Sequence, residues 1–160
     1  LPRAIRDVYK RQHPSFAPWT SKSSLFALFI GINDVGNSWW TNTTTLYDAI
    51  FAVYAKQLDS LYETGARNFL FLSVPPVNLA PLTLHADDPA YAVGQEGAAI
   101  ADWNKRLGAM VAALKAKYPA TKTFVHDTWG LFNKVIADPK SYVQTAGLKN
   151  VTDYCAAYMK

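Results

Sequence analysis

The chain has 160 residues, half of them hydrophobic and 18% charged, which is the size and composition of one globular domain and excludes wholesale disorder. The formal net charge is +4, but residues 1–12 hold Arg3, Arg6, Lys10 and Arg11 against Asp7, which leaves twelve basic and eleven acidic groups, a net of +1, on residues 13–160. That near-neutral body gives no electrostatic footprint for nucleic acid, and the longest apolar run, Leu25 to Ile30, falls far short of the roughly 20 residues that cross a bilayer.

The basic residues at the start are not followed by the apolar core of a signal peptide. Ile5 to Gln12 is similar to translated sequencing-adapter sequence, so residues 1–12 are read as a non-native or disordered segment and the domain as residues 13–160. Residues 13–23 are rich in Pro and Ser and read as loop. Ser24 to Ile30 is apolar on both faces, the pattern of a strand buried on both sides of a parallel sheet. It stops at Gly31-Ile32-Asn33-Asp34, residue types that accept turn conformations.

A helix follows. Thr45 with Asp48 three residues on resembles a capping box, Leu46, Ile50, Val53, Tyr54, Leu61 and Tyr62 recur at helical spacing, and Gly65 fits a C-terminal cap. Asn68 to Val74 is a second apolar strand, stopped by Pro75-Pro76. Residues 77–95 read as a long irregular loop of the sort that more often carries function than not. A long helix is expected over Glu96 to Lys117, a third strand over Thr121 to His126 and a short helix over Trp129 to Ile136. The order β-α-β-α-β-α argues for a parallel sheet with helices on both faces. Three strands are fewer than the five or six usual in such sheets, which suggests part of a larger domain.

In an open α/β sheet, chemistry gathers beyond the carboxyl ends of the strands. After the first strand, Asn33 at a sharp turn can aim its amide NH2 at charge developing on a carbonyl oxygen. Taken alone, Gly-x-Asn-Asp is more often an Asx-turn in which the Asn bonds its own backbone. Trp39 and Trp40 close behind it suit either a sugar-stacking surface or simple core packing. His126 ends the third strand, but Ser73 lacks the Gly-x-Ser-x-Gly setting of a nucleophile, so a triad assembled from them is disfavoured. No zinc, calcium or phosphate-loop pattern occurs, so no metal or cofactor is expected and a nucleotide-binding domain is a weak rival. Cys155 is the only cysteine, either a small buried hydrophobe or half of a disulfide. Asn42 and Asn150 head N-x-[ST] sequons.

Leu25 to Ser38, with the block Gly31-Ile32-Asn33-Asp34, resembles the third conserved block of GDSL/SGNH esterases, and most resembles fungal acetylesterase-like proteins of carbohydrate esterase family 16. The likeness continues at Phe69 to Pro76, Phe124 to Phe132 and Asn150 to Cys155, so it covers nearly all of 14–160. It implies a three-layer α/β/α flavodoxin-like fold, here incomplete, and a Ser-His-Asp hydrolase of acetyl or short acyl esters on carbohydrates, exported from the cell. By the same resemblance Asn33 is the oxyanion-hole asparagine, Gly31 shapes its turn and Asp34 supports it, while Trp39, Trp40 and Pro76 are candidates for substrate contact. The resemblance stops short at two motifs, because no Gly-Asp-Ser occurs and no Asp has a His three residues later. The nucleophile and the catalytic Asp/His are therefore expected outside this sequence, and the alternative is a non-catalytic carbohydrate-binding or scaffold protein on the same fold.

Overall fold

A computed structural model describes residues 18–155. The expectation for residues 1–12 lies outside the described residues. The described elements are β1 (Phe26–Leu28), α1 (Ile32–Gly36), α2 (Thr43–Glu63), β2 (Asn68–Leu72), a 3-10 turn (Val77–Leu79), α3 (Pro81–Leu84), α4 (Pro89–Lys117), β3 (Lys122–His126), α5 (Thr128–Ala137) and a second 3-10 turn (Pro139–Ser141). The strands form one parallel sheet in the order β1-β2-β3, with Phe26 opposite Phe69 and Phe69 opposite Thr123. The α/β class and the alternation read from the sequence are both present.

The chain divides into two compact units. The first holds residues 18–29, 44–72 and 105–126; the second holds 30–43, 73–104 and 127–155. The three strands belong to the first unit, and the three segments that leave their carboxyl ends belong to the second.

In the first unit, β2 alternates between fully buried Phe69 and Phe71 and half-buried Asn68, Leu70 and Leu72. Each buried Phe contributes about 1.5–3 kcal/mol by leaving water. Helix α2 buries Tyr47, Phe51, Tyr54, Leu58 and Leu61, one stripe at helical spacing. Its exposed flank carries Leu46 and Val53, so the apolar face is rotated from the one expected. The helix starts at Thr43, so Thr45 lies inside its first turn and not at the N-cap position expected of it. Asp48 instead pairs with Arg106 of α4, and Asp59 accepts from Lys117 Nζ (2.9 Å) and Tyr118 Oη (3.0 Å). The hydrogen bond to Asp59 holds the Lys117 ammonium above its ordinary pKa. Burial pushes the Tyr54 phenol up as well.

The C-terminus of α2 follows the cap expected of Gly65. Gly65 has φ 105°, its N–H donates to the Tyr62 carbonyl (3.0 Å), and Ala66 N–H reaches back to Leu61 (3.1 Å). This is the Schellman pattern, which satisfies carbonyls that the helix end would otherwise leave bare. Arg67 then lies 3.8 Å over the Tyr62 ring, which stacks on Tyr118 with centroids 3.8 Å apart.

In the second unit the expected long loop at 77–95 is mostly helical. Asp88 Oδ1 accepts from Tyr91 N–H (3.1 Å) and Pro89 opens α4, so the helix begins seven residues before Glu96. The Asp-Pro pair was the signal for that start. At α5, Asp127 caps the helix by accepting from Gly130 N–H (2.9 Å), and Ser73 Oγ accepts from Trp129 N–H (3.1 Å).

Candidate functional site

The turn after β1 sets the site. Gly31 has φ 122°, where a side chain is strained, and a Cβ there would collide with the Trp103 indole and stand 2.7 Å from Val74 Cγ2. Trp103 and Val74 are both fully buried, so neither can give way easily. Glycine is thus demanded twice over, by backbone conformation and by close approach. From it the chain enters α1, a helix of five residues where the sequence suggested only a turn. Val35 N–H donates to the Gly31 carbonyl (2.8 Å) and Asn37 N–H to the Asn33 carbonyl (3.0 Å).

Asn33 is exposed on α1 and lines a cleft of about 750 Å3. Its carbonyl takes a second hydrogen bond from Asn37 Nδ2 (2.6 Å), while its side-chain amide makes no Asx-type bond among the described residues. Asp34 is half-buried, and its carbonyl accepts from Ser38 Oγ (2.6 Å). The turn after β2 is fixed by Asn104 of α4. Val74 N–H donates to Asn104 Oδ1 (2.8 Å), and Asn104 Nδ2 donates to the Val74 carbonyl (3.0 Å). Adjacent residues of one helix, Trp103 and Asn104, therefore seat Gly31 and Val74.

Trp39 and Trp40 line the same cleft, edge to face with centroids 5.5 Å apart, and Trp40 is half-exposed. Pro76 is buried and is not among the lining residues, whereas Val77 is. The cleft also takes in residues to which the sequence reading gave no site role: Thr83, His85, Asp87 and Glu96. Glu96 is only 4% exposed, and its Oε2 accepts from Thr83 Oγ1 (2.7 Å). Its position in the apolar stripe of α4, beside Ala92, Ala99 and Ile100, was the signal that could have found it.

At the rim, His85 Nε2 lies 2.8 Å from Asp153 Oδ1. Asn150 Nδ2 donates to Asp153 Oδ2 (2.9 Å), and these hydrogen bonds from Asn150 and then His85 hold the Asp153 carboxyl below the ordinary carboxylate range. Ser73 is buried, and its hydroxyl accepts the Trp129 amide, a structural duty. Cys155 is exposed, not the buried hydrophobe that its residue type favours.

The family profile described as GDSL-like lipase/acylhydrolase matches residues 1–153. The chain belongs to that family. It is 38% identical over 130 residues to an acetylesterase of Thermothelomyces thermophilus, covering 81% of this chain and 43% of that protein. It is 27% identical over 147 residues to a GDSL esterase/lipase of Arabidopsis thaliana, covering 84% of this chain and 39% of the relative. A second Arabidopsis GDSL esterase/lipase is 24% identical over 144 residues, with 84% of this chain and 38% of the relative covered. The chain thus spans about two-fifths of the length of the curated relatives it matches. The parallel α/β architecture fits a GDSL-like hydrolase, and the family's chemistry is ester hydrolysis. No helix of the described residues is long and apolar enough to cross a membrane.

Proposed function

We propose that this GDSL-like chain supplies the oxyanion side of a serine esterase that removes acetyl or other short acyl groups from carbohydrates outside the cell. In this reading the serine oxygen attacks the ester carbonyl carbon while histidine takes the serine proton. Charge gathers on the carbonyl oxygen, and the Asn33 amide donates to it. Collapse of the tetrahedral intermediate breaks the bond to the alcohol oxygen, which takes the proton from histidine. Water then repeats the sequence on the acyl-serine and releases the acid. Gly31 sets the turn and Asp34 supports it, while Trp39 and Trp40 flank the ester's alcohol. The nucleophile and the catalytic Asp/His come from sequence beyond these residues, and Asn42 and Asn150 are glycan acceptors.

The observation that carries the reading is the exposed Asn33 amide, without an Asx bond among the described residues, in a cleft-lining position that the family match covers. In an enzyme that joins this chain to a Gly-Asp-Ser block and an Asp-x-x-His block, Asn33→Ala should lower kcat about 100- to 1000-fold with little change in KM. An unchanged kcat removes Asn33 from the oxyanion hole. The 160-residue chain by itself should not turn over p-nitrophenyl acetate, and turnover abolished by Asn33→Ala would overturn that part of the reading.

A further inference from the structure

We propose that Glu96 is the residue that makes the cleft of the second unit prefer an uncharged ring bearing several hydroxyls as the alcohol half of the ester. The inference rests on the proposed esterase reading for the carbohydrate ester and its Trp39 and Trp40 flank, and adds Glu96 to it; the binding itself needs no nucleophile. Four observations carry it.

The first is the placement of Glu96. It occupies the apolar stripe of α4, is 4% exposed, and still reaches the cleft surface. Burying a carboxylate is costly unless its oxygens are satisfied, and an apolar residue of similar volume would serve packing better. A carboxylate has about four acceptor sites, and Thr83 Oγ1 at 2.7 Å fills one of them. The remaining capacity suits hydroxyl hydrogens, which carboxylates accept in short, strong hydrogen bonds.

The second is the charge of the lining. It holds two carboxylates, Glu96 and Asp87, and neither Lys nor Arg. An anionic ring such as a uronate, or a phosphorylated alcohol, meets repulsion with no Lys or Arg in the lining to offset it, and the lining histidine, His85, is already engaged by Asp153. The third is the wall made by Trp39 and Trp40, whose edge-to-face packing leaves Trp40 half-exposed. Such a surface offers an apolar face to the C–H side of a ring while its hydroxyls turn to the floor. The fourth is proximity, because Asn33 lines the same cleft and a ring seated there keeps its ester beside that amide. A volume of about 750 Å3 is ample for a monosaccharide ester.

A purely structural duty for Glu96, anchoring Thr83, is separable by one substitution. Glu96→Gln keeps an oxygen for the Thr83 hydroxyl and replaces the other acceptor with donors. The test is ligand-observed NMR and tryptophan quenching of the 160-residue chain with three probes. They are methyl acetylxyloside, cyclohexyl acetate as a ring ester without further hydroxyls, and the acetylated methyl glucuronide carrying a free carboxylate. The xyloside ester should bind about tenfold or more tighter than either of the others. Glu96→Gln should erase the preference over cyclohexyl acetate while the protein melts as before, and exposed Trp40→Ala should weaken the xyloside ester without unfolding the chain. Equal binding of xyloside ester and cyclohexyl acetate, no binding of the xyloside ester, or a preference surviving in Glu96→Gln overturns the proposal. Should Glu96→Gln fail to fold, the three-probe comparison on the unsubstituted chain and Trp40→Ala decides. Loss of the probe preference with an intact Asn33→Ala rate effect in the larger enzyme would sink the subsite alone. The reverse pair of results would sink the hydrolysis reading alone.

Discussion

Gly31 shows how much one missing Cβ can decide. Its φ of 122° belongs to the region where L residues are strained, and the space a methyl would need is taken by Trp103 and Val74. A left-handed backbone costs a non-glycine residue about 1–2 kcal/mol, and overpacking a rigid core adds roughly 1–3 kcal/mol. Gly31→Ala should therefore destabilise the chain by at least about 2 kcal/mol, read as a lower urea midpoint with unchanged slope. If the midpoint holds within about 0.5 kcal/mol, the turn tolerates a side chain and Trp103 is not its seat. At the same scale, Asn33 shows why a four-residue motif was ambiguous in sequence. Its identity was legible, but whether its amide bonds its own turn or faces a cleft depends on α1, a helix too short to leave a periodic pattern.

At the scale of elements, Asn104 links helix to turn. By giving one donor and one acceptor to Val74, it continues a strand-like pairing where β2 has already ended. Asn104→Ala would leave both backbone groups of buried Val74 without those partners, at roughly 1–3 kcal/mol for an unsatisfied group. The expected loss is about 2–6 kcal/mol for the two groups, and Asn104→Asp, which keeps the acceptor but sets a second acceptor against the Val74 carbonyl, should be less stable than the unsubstituted chain as well. Guanidinium unfolding of the three proteins checks both losses, and equal stability of all three would refute them. The strands, the long helices and the Gly65 cap were legible because each has a local signature: an all-apolar run, a 3.6-residue period, a glycine after the last turn. The rotated face of α2 was not, since aromatic and aliphatic residues surround that helix and only its neighbours decide which side is buried. The start of α4 was legible at Asp88-Pro89 and was passed over because the preceding stretch has no period. Glu96 was passed over as a cleft residue for a different reason: its place in the apolar stripe was the signal, but a charged side chain there looks like the stripe's boundary until burial is known.

At the scale of the whole molecule, the three-stranded sheet is unequal on its two sides. Phe69 and Phe71 are sealed, whereas Leu70 is half-buried and Phe124, its neighbour across the β2–β3 pair, is 54% exposed. Leu25 and Phe29, which flank β1, are also about half-exposed, at 54% and 50%. Large apolar groups grouped on one small sheet are more than the scattered exposure expected of any surface, and such patches drive association. The 160-residue chain should take up an apolar dye such as ANS at neutral pH and elute earlier from size exclusion as its concentration rises. Replacing Phe29 and Phe124 together by Lys should reduce both effects, because a charge on the patch opposes its burial against another chain. The double substitution should leave the melting temperature within a few degrees, since the two side chains are already half in water and give up little burial. A monomeric chain that ignores the dye would mean that the patch is covered in solution. A large drop in melting temperature in the double variant would mean that Phe29 and Phe124 carry packing that their exposure does not reveal.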